Sequence, residues 1–244
     1  MKKFYWFGDS WVIGDELEKI VSKQQAQENT FAFLISEQFA ADCVNLGQRG
    51  SSINSLPMEF FKVANDIDPD TDVVFFCLTA SLRTGMFDEY GKFCNILVNP
   101  YPSHTPHPYT SEWFKYFDNP HQRIYNRDCM INLLYMWCQH LKIKCYFLNL
   151  FTTETSATAM TPASSWLIPQ DSCVAEFILS QIDNKYGNVI INDMPELTSK
   201  QWEEQSKLVE MYIRPCFAHP NINGHRKIAN ELITILNERF RIQA

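Results

Sequence analysis

None of the eight cysteines, at positions 43, 77, 94, 129, 138, 145, 173 and 216, forms a CxxC pair or stands at a Cys/His spacing suited to a metal. The chain therefore carries no ligand framework of that kind, and several of these cysteines fall inside apolar runs, where free thiols are ordinarily buried and inert. An excess of positive charge is also missing: 21 Lys and Arg stand against 28 Asp and Glu, for a formal net charge of -7. Binding to a phosphate backbone rests on clustered cations that release counterions, so nucleic acid is not an expected partner. No window approaches the roughly 18 apolar residues of a membrane span. The opening MKKFYWF meets Asp9 after about five apolar residues, short of the ~7–15 of a secretory h-region. Neither a signal peptide nor a membrane span is expected, and a reducing, cytoplasmic setting agrees with unpaired thiols. No internal repeat is visible.

What is present is ordinary globular material, 45% hydrophobic and 20% charged over 244 residues, enough for a substantial core. One domain spanning 1–244 is the expectation. Lys3 to Phe7 reads as a short buried strand, and FAFLISEQFAAD (31–42) carries helical spacing. DCVNL (42–46) reads as a second strand ending at Gly47 and Gly50. INSLPMEFFKVA (53–64) reads as a helix with Pro57 near its first turn, and DVVFFCL (72–78) as a central strand apolar on both faces. RIYNRDCMINLLYMWCQHL (123–141) reads as a helix, KCYFLNLF (144–151) as a fourth strand, CVAEFILSQI (173–182) as helical. The C-terminal run closes in an amphipathic helix with Ile228, Leu232, Ile233, Ile235 and Leu236 on or near one face. Strands alternating with helices imply a mainly parallel sheet covered on both faces.

Between the third strand and the long helix lies an irregular excursion at about 99–122. Residues 99 to 121 hold five prolines and three histidines, a composition that opposes a regular element. Trp113, Phe114, Tyr116 and Phe117 there either line a cleft or bury the excursion against the sheet. His104 and His107 read as residues of this lid rather than as ligands.

In a parallel sheet ligands gather beyond the carboxyl ends of the strands, where Gly8-Asp9-Ser10, Gly47 to Gly50 and Thr79 to Arg83 all fall. A serine at a strand-to-helix turn is placed to act as a nucleophile if a histidine takes its proton and donors receive the oxyanion. His219 is the histidine candidate, because Pro220 keeps it out of the helical region. Asp9 reads as a brace that accepts backbone N–H groups in the turn, and Gly14 as a close-approach residue where the first helix begins. His225 is not at an i, i+4 spacing from His219, so it reads as a surface or capping histidine rather than half of a metal pair.

FGDSWVIG, NLGQRGSS and HPNINGH together resemble the conserved blocks of the SGNH hydrolases, also called GDSL esterases and lipases. Their order, spacing and position after successive strands agree with that family over nearly the whole chain. The resemblance implies an α/β fold, a three-layer α/β/α sandwich of flavodoxin-like kind with a mainly parallel central sheet. It implies Ser10 as nucleophile, His219 as base, and an oxyanion hole from the backbone of Ser10 and Gly50. It implies no cofactor and no metal.

Two positions depart from the family pattern. Where the third block ordinarily reads GxND, this chain has LTASLR, so Ser81 replaces the oxyanion asparagine and Arg83 is an alternative donor or anion anchor. Where the last block ordinarily reads DxxH, Cys216 takes the place of the orienting aspartate. A backbone carbonyl is then expected to hold the imidazole, as main-chain acceptors hold many histidines, or a displaced carboxylate from Asp171 or Asp193 does so. The expected activity is hydrolysis of a small acyl ester, foremost an O-acetyl ester of a carbohydrate, by a Ser10–His219 dyad or non-standard triad. A third alternative is a thiol route with Cys216 as nucleophile and His219 as base. The contrasting expectation is a binding or structural protein that kept the fold while its catalytic set decayed.

Overall fold

Phe4, Tyr5, Trp6 and Phe7 are all buried in the first strand, β1 (Lys3–Phe7), a run with no polar face of the kind a strand covered on both sides requires. The computed structural model describes residues 2–15, 17, 21–79, 83–87, 93–97, 120–150, 161–169, 172–174, 213–214 and 219–242. In chain order the elements after β1 are α1 (Ser10–Ile13), α2 (Lys23–Glu28), α3 (Phe31–Gln38), β2 (Asp42–Asn45), α4 (Ser55–Val63) and β3 (Val73–Leu78). They continue with β4 (Arg83–Phe87), β5 (Phe93–Leu97), α5 (Pro120–His140), β6 (Lys144–Asn149), β7 (Ile213–Arg214), β8 (His219–Pro220) and α6 (Ile222–Ile242).

Four strands form one all-parallel sheet in the order β2-β1-β3-β6. Side chains alternate across it with the period of two that a pleated strand imposes. Phe4 and Trp6 join Phe75, Cys77, Tyr146 and Leu148 on one face, covered by Phe31 and Ile35 of α3 and Ile228, Leu232 and Leu236 of α6. Tyr5 and Phe7 join Val74, Phe76 and Phe147 on the other, covered by Leu56 and Phe60 of α4 and Ile131, Leu134 and Cys138 of α5. The result is the three-layer α/β/α sandwich expected from the sequence.

Aromatic rings run across the strands on both faces. Trp6 stacks on Phe75 at 4.0 Å between centroids, Phe75 on Tyr146 at 5.8 Å, and Phe76 on Phe147 at 5.3 Å. The indole of Trp6 donates to Ser36 Oγ at 3.0 Å, so the largest ring of β1 is buried without an orphaned N–H.

The structure departs from the sequence reading in several elements, among them α2, which the sequence reading did not include. β4 and β5 pair as an antiparallel hairpin that the sequence does not announce, and Arg83 opens that strand instead of closing a loop. α5 begins at Pro120, so the last residues assigned to the excursion belong to a helix whose first position tolerates proline because its N–H would be unpaired anyway. Residues 99–119 of the excursion and all but Cys173 and Val174 of the helical run at 173–182 lie outside the described residues. Among the described residues, no helix is long and apolar enough to cross a membrane.

Candidate active site

The strand order reverses at β1: β2 lies on one side of it and β3, the next strand in sequence, on the other. Parallel sheets bind ligands beyond the carboxyl ends of their strands at such a switch point, and the chain leaving β1 there is Gly8-Asp9-Ser10. A Cβ at Gly8 would lie 2.5 Å from Val12 Cγ2 and 2.9 Å from Cys77 Cβ, so only glycine lets the chain turn this close to β3. Asp9 is the N-cap of α1: its Oδ1 accepts the Trp11 N–H at 3.0 Å, and its carbonyl accepts the Val12 N–H at 3.0 Å. Asp9 is completely buried. Ser10 is the first residue of the helix and only 3% exposed. Gly14, expected at the start of this helix, ends it: at φ 71° it is the left-handed C-cap, a conformation that favours glycine.

The loop after β2 is tied to this turn from the other side. Asn45 donates through Nδ2 to the Val12 carbonyl at 2.7 Å and accepts the Gly47 N–H through Oδ1 at 3.1 Å. The Gln48 N–H donates to the Gly8 carbonyl at 2.9 Å. Arg49, largely exposed, pairs with Asp15, a contact that solvent screens. Gly50 has φ 70°, and a Cβ built there would meet nothing within 4 Å. Its backbone is thus in a glycine conformation and open on that side.

The third contributor arrives from the far end of the chain. His219 and Pro220 form β8, in which His219 pairs with Arg214 of β7. Asn221 then caps α6, its Oδ1 accepting the Gly224 N–H at 2.9 Å and its carbonyl the His225 N–H at 2.9 Å. His219 Nε2 and Ser10 Oγ lie 2.8 Å apart, across 209 residues of sequence. That separation is within the ~2.6–3.2 Å range of a nucleophile and its general base. With the ring proton on Nδ1, Nε2 accepts the serine O–H.

Of the two alternatives read for His225, surface or capping, the structure excludes the first: it is fully buried, and it caps a helix other than its own. Its Nδ1 accepts the Phe31 N–H at 3.2 Å, at the first residue of α3. Burial, followed by the nearby His219, pushes its pKa down from 6.5 to about 3. The unfolded chain therefore binds this proton first. The stabilisation linked to neutral His225 is complete above pH 6.5 and is lost as pH falls toward 3. We expect this group to lower unfolding free energy by at most about 1.4 kcal/mol per pH unit across that window. In denaturant titrations at stepped pH, His225→Asn should flatten the slope; an unchanged slope contradicts the assignment.

Cys77 sits under the turn, where burial and then the charge of Asp9 hold its thiol well above the usual range, so it remains an un-ionised packing group. Cys43, Cys129, Cys138, Cys145 and Cys173 are likewise free thiols, either buried or partly so. Of the other residues singled out from sequence, Ser81, Cys216, Asp171, Asp193, His104, His107, Trp113, Phe114, Tyr116 and Phe117 lie outside the described residues, as does the side chain of Arg83. Among the described residues, no three His, Cys, Asp or Glu side chains converge as metal ligands. The sequence reading missed Asn45 and Asn221 as structural ties. Their signal was an asparagine directly ahead of a tight turn, a position where its short amide bonds local backbone.

No protein-family model matches the chain, and no curated protein matches it. Solved structures do. A protein assigned to the lipolytic G-D-S-L family from Desulfitobacterium hafniense DCB-2 superposes with a TM-score of 0.51 at 12% identity, covering 96% of this chain and 98% of its own. A member of the same lipolytic family from Veillonella parvula DSM 2008 gives a TM-score of 0.45 at 12% identity, with 97% and 99% covered. An acetylxylan esterase from Geobacillus stearothermophilus gives 0.41 at 12% identity, with 96% and 93% covered. The first of these establishes a shared fold.

Proposed function

We propose that the protein is a serine hydrolase of carboxylic esters in which Ser10 is the nucleophile and His219 the general base. The observation that carries this reading is the 2.8 Å approach of His219 Nε2 to Ser10 Oγ at the switch point of a parallel sheet. The fold shared with a protein of the lipolytic G-D-S-L family supports it.

In the reaction Ser10 Oγ attacks the ester carbonyl carbon as its proton passes to His219 Nε2. The carbon–oxygen bond to the alcohol then breaks, and the alcohol leaves with that proton. Water, deprotonated by His219, hydrolyses the acyl-serine and restores both groups. The N–H groups of Ser10 and Gly50, with the Ser81 hydroxyl, receive the oxyanion, and Arg83 is the alternative donor. Cys216 stands where an orienting carboxylate is usual, so a main-chain acceptor or a carboxylate from Asp171 or Asp193 holds the imidazole. The substrate class we favour is a carbohydrate O-acetyl ester, on the polar, aromatic composition of the segment at about 99–122.

Incubation with a fluorophosphonate probe followed by peptide mapping tests the mechanism. The expected result is an adduct on Ser10 together with hydrolysis of p-nitrophenyl acetate. An unlabelled Ser10 with no hydrolysis would instead support the fold as a binding scaffold, a reading motivated by Cys216 and Ser81. Each missing oxyanion donor ordinarily costs about 10²–10³ in turnover.

A further inference from the structure

We propose that His225 is a positioning residue for the base: by accepting the Phe31 N–H at Nδ1, it pins the first turn of α6, and with it His219, against the nucleophile turn. This inference rests on the esterase reading above. The Phe31 N–H is the first amide of α3, one of the donors that a helix leaves without an internal partner. Thr30 takes the Phe33 N–H at 3.2 Å, and the Phe31 donor is met by a side chain 194 residues away.

Rings continue the connection. His225 stacks on Phe31 with centroids 5.7 Å apart, and Phe31 stands edge-on to Trp6 of β1 at 5.8 Å, four residues ahead of Ser10. On its other side, the His225 N–H bonds the Asn221 carbonyl, two residues after His219. Pro220 and the Asn221 cap stiffen the short path between the two histidines.

Packing alone does not account for a histidine here. Because Nδ1 accepts, the ring proton sits on Nε2, and Nε2 is buried with no hydrogen-bond partner among the described residues. Such a group is costly to bury, and phenylalanine would fill the same space without it. The acceptor at Nδ1 is the property that phenylalanine lacks.

Three variants test this with p-nitrophenyl acetate, at a temperature well below each measured unfolding midpoint. His225→Phe keeps the ring and removes the acceptor. Its kcat should fall about 10- to 100-fold, the scale of a misplaced reacting group, with KM little changed. His225→Asn places an amide oxygen at the Nδ1 position and should recover most of kcat, whereas His225→Gln, whose amide sits one carbon further out, should not. Should the Phe variant fail to fold, the contrast between Asn and Gln decides. Equal kcat in all three, or parental kcat in His225→Phe, would overturn the proposal while the parent's labelling at Ser10 leaves the esterase reading intact. An inert, unlabelled parent overturns both.

Discussion

Ser10→Ala should lower kcat for p-nitrophenyl acetate by about 10⁴–10⁶-fold, the loss typical when a serine nucleophile is removed, while the unfolding midpoint barely moves. The two parts of this expectation have separate origins. The turn is held by Gly8, by the Asp9 cap and by the bonds from Asn45 and Gln48, none of which uses the Ser10 hydroxyl. The chemistry, by contrast, loses the only atom on Ser10 that can form the acyl bond. What activity remains comes from oxyanion donors and a water held by His219. A loss below about tenfold would place the nucleophile elsewhere. Persistent activity in Ser10→Ala that iodoacetamide abolishes would revive the thiol route through Cys216.

His219→Gln should be nearly as damaging, and the double variant with Ser10→Ala no worse than either single change, because the two groups act as one unit. Glutamine places an amide near the ring's position but offers no basic nitrogen to take the serine proton. In the parent, the acid limb of kcat/KM against pH reports the free enzyme's essential base. His225 does not supply that limb in the physiological range, since its pKa is pushed down to about 3. The limb should vanish from the residual activity of His219→Gln. Its survival there would assign the base to another residue.

The elements most legible in the sequence were those whose environment is uniform. KFYWF and VVFFCL are apolar on both faces because helices cover both faces, and each strand lies within a residue or so of its expected bounds. The hairpin of β4 and β5 was not legible: RTGMF and FCNIL show neither alternation nor an unbroken apolar run, and their pairing depends on each other rather than on a local pattern. Ser10 was legible from its turn. Its partnership with His219 spans 209 residues, and no periodicity encodes that distance; the likeness of the motifs to a known family supplied it. His225 is the instructive case. The buried stripe of α6 runs through Ile228, Ala229, Leu232 and Leu236, and one turn further back it reaches position 225. The stripe was followed only through aliphatic residues, so a polar ring among Gly224, Arg226 and Lys227 read as a surface or capping residue and not as part of the core.

The strand order has a consequence for how the chain reaches this state. β1 precedes the other strands in sequence yet lies inside the sheet, where Phe4 pairs with Val73 and Val73 with Lys144, and the layer that α3 begins over Phe4 and Trp6 is completed by α6. Pairings so far apart in sequence give a high contact order, and loops that long must close before their contacts repay the entropy, which makes folding slow. During synthesis α3 can cover part of Phe4 and Trp6 early, through Phe31 and Phe39, but the neighbouring strands and α6 come later, so a partly made chain keeps the rest of this aromatic surface exposed. Ser10 and His219 can meet only after all the residues between them, a separation of 209 in sequence, have been made.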